Sequence, residues 1–370
     1  LKYNTINIRQ VHTYGYGAYL YYTYGPFEFS YNEIYNSAQY GMYIYQANNT
    51  EPEPSIVYNN VIGGLFRTTS TAYGIYISTS SNIDFYFNSV NIEGAPGRGI
   101  TTFSSATGLT FVNNSFTYTG SGAGYAIYHS DPTASILVND YNNYYAGEST
   151  NFAYYGSAVA DLAALQAVNI PEGNDANSLQ GNPMYTGSMN LLPYGPQLYQ
   201  VGTPIVGIDD DIVGTLRDTF TPCIGAYEFE LPEVPTLAYE PANIDFGSVI
   251  QEVEYGPVNI TVTNIGGGTL ELYSTDITIF GNDETNFSFS DENLPATLES
   301  GQSVLIPVYF TATTEGLHEA TLRMTYDGED YEVALYGTGL PAGIVIIGQG
   351  TVAMNANPIN PFYGYTYSQQ

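Results

Sequence analysis

The sequence predicts an all-β protein in two parts, a solenoid of stacked coils followed by an antiparallel β-sandwich. Three observations predict it. The composition is that of strands and tight turns, with 38 Tyr and 39 Gly, no Trp, and only 6 Lys plus Arg against 36 Asp plus Glu. A short pattern recurs along the first 145 residues at steps of 25 to 29. From residue 237 onward, short alternating stretches are separated by turn signals at regular intervals.

The recurring pattern reads LKYNTI at 1–6, FSYNEI at 29–34, IVYNNV at 56–61, FYFNSV at 85–90, FVNNSF at 111–116 and ILVNDY at 136–141. Its shared Asn falls at Asn4, Asn32, Asn59, Asn88, Asn114 and Asn139, a spacing that suits one residue per coil. Apolar residues lie three and one before this Asn, then two after it. A period-2 strand whose parity flips at one residue has turned a corner there. Asn suits such a corner because it tolerates left-handed backbone angles and bonds neighbouring backbone.

A second register is opened by a glycine in each coil: Gly17, Gly41, Gly74, Gly99 and Gly124. The first and third positions after it (Ala18 and Leu20, Met42 and Ile44, Ile75 and Ile77, Ile100 and Thr102, Tyr125 and Ile127) read as inward rows. The second and fourth then face out. That places Tyr19, Tyr43 and Tyr76 in one outward file and Tyr21, Tyr45, Phe103 and Tyr128 in another. Coils about 4.8 Å apart turn such files into aromatic ladders.

On these repeats the chain resembles the right-handed parallel β-helix of the pectate-lyase superfamily, with its inward Asn ladder. The stretch at 158–169, AVADLAALQAVN, predicts a helix with Val159, Leu162, Leu165 and Val168 on one face. The Asp-rich turn from 209 and the IGAYE segment at 224–228 are similar to the tail that closes many secreted bacterial β-helix proteins. The resemblance rests on Gly214, Arg217, Gly225 and Glu228 and implies a strand and a cap on the last coil. The expected organisation is coils over 1–156, helix and cap over 157–230, and a Pro-punctuated linker over 231–236.

Over 237–340, the segments DFGSV (245–249), TNIGGGTLEL (263–272), LESGQS (298–303) and GTG (337–339) resemble immunoglobulin-like modules of the abnormal-spindle and major-sperm-protein type. Bacterial surface proteins carry these as choice-of-anchor D modules, and the resemblance implies a spacer or assembly unit. Residues 341–370 resemble the first strands of a further module, or a strand available for assembly. The start at Leu1 inside a strand-like run leads to the expectation that this is a processed or excerpted piece of a secreted Bacteroidetes-type surface protein.

A formal charge of -30 repels phosphate backbones and anionic lipid, which argues against nucleic acid and membrane surfaces as partners. No run of 18 apolar residues exists. With Cys223 alone, no intrachain disulfide forms; a buried small hydrophobe is its expected role.

No catalytic constellation is legible. The coil bases are Lys2, Arg9, Arg67 and Arg98, and the coil acids Glu28, Glu33, Asp84, Glu93, Asp131 and Asp140 occupy different registers rather than pairs. His12, His129 and His318 share no motif and read as surface or strand-end residues. Asp209, Asp210 and Asp211 either bind calcium or form a solvated acidic turn, so calcium is the one cofactor in question. The tyrosine files carry the functional expectation: an extracellular structural or adhesive protein, a segment of a stalk, sheath or filament, associating head-to-tail with itself or with other surface-protein domains. The alternative is a β-helix that binds or cleaves polysaccharide, with Tyr19, Tyr21, Tyr43, Tyr45, Tyr76 and Tyr128 as its surface.

Overall fold

In the computed structural model the described residues are 1–8, 15–66, 70–94, 96–103, 105–120, 123–147, 149, 151–168, 170–341, 345–346 and 352–353. His12, Arg9, Arg67 and most of the 341–370 stub lie outside them; in the stub, Val345–Ile346 pairs with Val352–Ala353. The chain divides into two compact units, Leu1–Leu231 and Pro232–Gln370.

The first unit is a parallel β-solenoid built from three sheets that run its length. The first sheet stacks Tyr16–Tyr21, Tyr40–Tyr45, Ala72–Ser78, Gly97–Thr102, Tyr125–His129 and Ala153–Tyr155, with Ala158–Val159 added antiparallel. The second contains Glu28–Ser30, Ser55–Tyr58, Ser81–Tyr86, Thr107–Val112 and Ile136–Asp140. The third runs through Thr5–Asn7, Glu33–Tyr35, Val61–Gly63, Ser89–Gly94, Ser115–Tyr118 and Asn143–Tyr145. Inward Met42, Ile44, Ile75, Ile77, Phe85, Val90, Phe111 and Ile127 form one continuous core. Each such side chain contributes about 1.5–3 kcal/mol by leaving water.

At the corner between the second and third sheets runs the asparagine ladder. Nδ2 of Asn4 donates to Oδ1 of Asn32 (2.9 Å), Asn32 to Asn60 (3.0 Å), Asn60 to Asn88 (2.9 Å), Asn88 to Asn114 (2.9 Å) and Asn114 to Asn142 (3.0 Å). The same Oδ1 atoms accept the backbone N–H of the preceding rung. The file therefore passes through Asn60 and Asn142, not Asn59 and Asn139. Asn59 adjoins the rung in the pair at 59–60, and Asn139 pairs with Phe111, three positions ahead of the corner, so that Asn142 is the residue opposite Asn114. Nor is the ladder Asn itself left-handed. That conformation belongs to the residue before it in every coil: Tyr3, Tyr31, Asn59, Phe87, Asn113 and Tyr141, with φ between 50° and 60°. Each such corner costs about 1–2 kcal/mol, and the bonded rung beside it holds the chain there.

Asn139 instead joins a buried cluster at the end of the ladder. Asp175, which has no exposed surface, accepts bonds from Ser178 Oγ (2.6 Å), Tyr144 OH (2.7 Å), Asn139 Nδ2 (2.9 Å) and Asn174 Nδ2 (2.7 Å). Ser178 Oγ in turn receives the N–H of Asn142 and so terminates the ladder.

The helix covers Leu162–Val168 with Leu165 buried. Beyond it, residues 170–230 form a strap that runs back along the corner rather than merely covering the last coil. Tyr31 OH bonds Asp210, Asn59 bonds Asp210 O and Arg217, Asn113 bonds Thr203, and Ser89 bonds Ala226. IGAYE is not a strand: it bends at Ile224–Ala226 against the third sheet, with Gly225 at φ 94° and a Cβ there 2.7 Å from Ser89 Oγ. Arg217 staples the strap: its guanidinium lies 3.8 Å over the Phe87 ring and bonds Asn59 Oδ1, Gly225 O and Glu228.

The second unit is a β-sandwich. One four-stranded sheet orders Leu237–Glu240, Glu254–Asn264, Ser303–Thr311 and Phe287–Phe289; the other orders Asn243–Ile250, Glu329–Leu340, Gly316–Tyr326 and Ile277–Phe280. Pairing is antiparallel except where Asn243–Ile250 lies parallel to Glu329–Leu340. Ile260, Val262, Ile306, Phe310, Leu322 and Val333 fill the space between. Buried Asn264 fixes the IGGG turn, accepting from Thr236 and Gly266 and donating to Gly268 O and Leu298 O.

Candidate functional site

The first sheet positions the tyrosines in three outward rows. One row is Tyr16, Tyr40, Tyr73, Arg98 and Tyr125; the next is Tyr19, Tyr43, Tyr76, Thr101, Tyr128 and Tyr154; the third holds Tyr21, Tyr45 and Ser78. Tyr128 thus stands in the file of Tyr19, not that of Tyr21, and Tyr125 faces out rather than in. The slip has a local cause. In each strand the glycine and the residue after it both face inward, as a Cβ on Gly41 shows by meeting Ile62 Cγ2 at 2.3 Å and Gly74 O at 2.6 Å. Two successive inward residues send the outward side chains to both flanks of the pair. The coil unit is therefore Tyr-Gly-x-Tyr: YGAY at 16–19, YGMY at 40–43 and YGIY at 73–76, becoming RGIT at 98–101 and YAIY at 125–128. Aligned this way, Ala126 and not Gly124 is the partner of Gly99. The residue before each glycine was the signal for Tyr16, Tyr40, Tyr73 and Arg98, and Tyr125 holds the same position before Ala126.

The rings pack against one another in both directions. Along the coils, Tyr16–Tyr40, Tyr40–Tyr73 and Tyr19–Tyr43 have centroids 5.1, 5.0 and 5.1 Å apart; across the strand, Tyr16–Tyr19 and Tyr40–Tyr43 are 4.9 and 5.1 Å apart. Near Tyr76 the stacked order turns edge-on, with Tyr43–Tyr76 at 81°. Stacking resumes at Tyr128–Tyr154, 4.4 Å apart and 10° from parallel. Such contacts add about 0.5–1.5 kcal/mol each beyond area and hold the rings as a rigid raft. Tyr16 and Tyr19 are each 45% exposed and Tyr21 48%, whereas Tyr43 and Tyr76 are half-buried by their neighbours. Burial among the rings, then the neighbouring phenols, pushes the Tyr43 and Tyr19 hydroxyls above the usual phenol range, so they stay neutral donors and acceptors.

Charge is distributed unevenly over the solenoid. The six strands of this sheet contain no Asp or Glu, while the second sheet carries Glu28, Asp84 and Asp140 and the third Glu33 and Glu93. Among the described residues the face has one cation. Arg98 lies 3.5 Å over the Tyr128 ring, with Tyr73 and Tyr125 at 5.7 and 5.9 Å, and forms no ion pair among the described residues. Thr101 takes a tyrosine's place between Tyr76 and Tyr128 and is buried.

The other candidates are engaged within the fold. Asp211 accepts the N–H of Val213, Thr215 and Glu228, and Asp210 accepts from Tyr31, leaving exposed Asp209. Among the described residues no group of three or more His, Cys, Asp or Glu is arranged to hold a metal ion. Glu28 bonds Lys2 and Tyr58, Asp84 bonds Tyr86, Asp140 bonds Asn177, and Glu93 bonds Asn91 with burial raising its pKa. His129 and His318, the two described histidines, are buried rather than superficial. His129 sits at a strand end in the inward row, Nδ1 2.8 Å from Thr102 Oγ1, with burial lowering its pKa to about 3; His318 bonds Thr314 O at 2.9 Å. Cys223 is fully buried and its thiol is pushed up to about 12 by desolvation. No described helix is long and apolar enough to cross a membrane.

Residues 2–147 match the family described as right handed beta helix region, in agreement with the solenoid. No curated protein matches. Among solved structures, the ASH / PapD-like domain 7 of human CEP192 is 13% identical over 31% of this chain and 92% of that one, with a TM-score of 0.23. The secreted serine protease VesC of Vibrio cholerae is 23% identical over 28% of this chain, with a TM-score of 0.23. The VesB protease of the same organism is 17% identical over 28%, with a TM-score of 0.19. The matches span only 23% and 31% of the two proteases, and likenesses this slight assign no activity.

Proposed function

We propose that this is an extracellular adhesive or structural protein, and that the tyrosine sheet of its solenoid is a contact surface for glycan. The observation that carries this reading is the segregation of charge and aromatic rings. In a chain of 36 acidic residues, one sheet is kept free of acid and furnished with rigid phenols. Tyrosine offers apolar area for sugar C–H groups and a hydroxyl for sugar hydroxyls, with little side-chain entropy to lose. The strap's bonds fall on the corner and the third sheet, and the outermost tyrosines stay open. Contiguous exposed aromatic area of this kind has a partner as its usual explanation. The resemblance of 237–340 to surface-protein modules supports an extracellular setting on a secreted bacterial protein. Packing of the same face against a second copy is the competing occupant. Two bodies of charge -30 oppose that contact at low salt.

The test is binding to a panel of immobilised plant, algal and bacterial polysaccharides, with sedimentation velocity alongside. The triple variant Tyr19→Ser, Tyr43→Ser, Tyr76→Ser also removes ring–ring contacts, so its melting midpoint is expected to fall, and binding is compared at a temperature where circular dichroism shows parent and variant both folded. The variant should lose at least about tenfold in affinity, since truncating anchoring aromatics costs above ~1 kcal/mol each. Equal retention of parent and variant, or concentration-dependent association that the variant abolishes with no glycan bound, contradicts the glycan reading.

A further inference from the structure

Arg98 occupies a tyrosine's place near the middle of the first row, and its chemistry narrows the ligand. The other described bases are neutralised within the chain: Lys2 by Glu28, Arg217 by Glu228, and Arg323 by Asp330 and Glu332. Arg98 alone is left to rings. Its guanidinium carbon lies 3.5 Å from the centre of the Tyr128 ring, between Tyr73 and Tyr125, which holds the fork in place without consuming its N–H donors in an ion pair. A planar, prepositioned fork with no carboxylate partner among the described residues, on a sheet whose strands carry no acid, suits a bidentate anion from outside.

The number of charges on the ligand is bounded as well. One guanidinium matches one anionic group, while the chain's net charge of -30 repels any ligand charged at every residue. Resting on the reading of this sheet as a glycan contact surface, we propose that the sheet selects a predominantly neutral glycan bearing one isolated anionic group, a carboxylate or a sulfate ester, held by Arg98. The neutral sugars on either side pack over Tyr16, Tyr19, Tyr40 and Tyr43 along the rows. The anion meets the guanidinium at Tyr128.

A glycan array tests this with neutral oligosaccharides of several backbones, the same backbones carrying one uronic acid or one sulfate ester, and a homopolymeric polyuronate. The parent protein, Arg98→Gln, Arg98→Lys and Tyr19→Ser are compared at low and at physiological salt. The singly charged glycan should bind about tenfold more tightly than its neutral match, as expected for hydrogen bonds to a charged group. Added salt should narrow that gap. Arg98→Gln should abolish the preference while leaving neutral binding in place, and Arg98→Lys should restore part of it. The carboxylate and sulfate arms identify which anion is preferred. If neutral and singly charged glycans bind the parent equally, or Arg98→Gln keeps the preference, the role of Arg98 is overturned while the contact surface stands. Tightest binding to the polyuronate overturns the isolated-charge requirement. If no backbone binds, or Tyr19→Ser leaves every affinity unchanged, the contact surface itself is wrong and this inference falls with it.

Discussion

Asp175 and His129 are buried groups whose titration acts on stability in opposite directions. Desolvation raises the Asp175 carboxyl to about 7 despite the four donors around it, and lowers His129 to about 3. Between pH 4 and 6.5 the folded chain holds a proton on Asp175 that the unfolded chain has released. Its contribution to stability is full below the ordinary carboxylate range and is lost as pH rises toward 7. Over the same window the unfolded chain protonates His129 while the folded chain does not, a contribution present above about 6.5 and lost as pH falls. The two oppose each other. Asp175→Asn removes one side, so denaturant titrations should show it losing about 1.4 kcal/mol more than the parent for each unit of acidification from pH 6 to 4. Parallel pH profiles for the two proteins would refute the assignment. At this scale the sequence was partly legible. The recurrence of Asn was evident, but Asn59 and Asn60 are adjacent and identical, and only the bonds of Asn60 to Asn32 and Asn88 distinguish rung from corner.

The coil corner is the element that makes the stack specific. Each left-handed residue is tolerated because the next residue's amide ties its own coil to both neighbours. Asn60 shows the arrangement in full: it accepts from Asn32, donates to Asn88, and satisfies Phe29 O and Tyr58 O. Asn60→Ala leaves several of these buried groups unpaired and is expected to lower stability by about 3 kcal/mol. Urea unfolding measures the loss, and one below ~1 kcal/mol would show that the corner holds without its rung. The same element explains what pattern reading reached and where it stopped. Alternation identified Met42, Ile44, Ile75 and Ile77 as inward, and the structure buries all four. It failed at Gly124, because Ala126 takes the glycine's place in that coil and counting from Gly124 instead puts Tyr125 in the inward row. The strap was the least legible part. Its residues have no periodicity, and only their bonds to Tyr31, Asn59, Ser89 and Asn113 place them on the corner.

Over the whole molecule, the division of labour follows charge. Acidic residues populate the second and third sheets and the sandwich strands, the strap covers the corner, and the tyrosine sheet is left neutral but for Arg98. Sequence composition recorded the excess of Tyr and of acid; their separation onto different faces emerges only when the coils are in register. Nitration of tyrosines in the free and glycan-bound protein, read residue by residue by mass spectrometry, tests that contact surface most directly. Bound glycan should protect Tyr16, Tyr19, Tyr21 and Tyr43 and leave Tyr3 on the corner and Tyr273 in the sandwich as reactive as before, both being exposed in the free chain. Protection of Tyr3 or Tyr273 with the first sheet unchanged would contradict it.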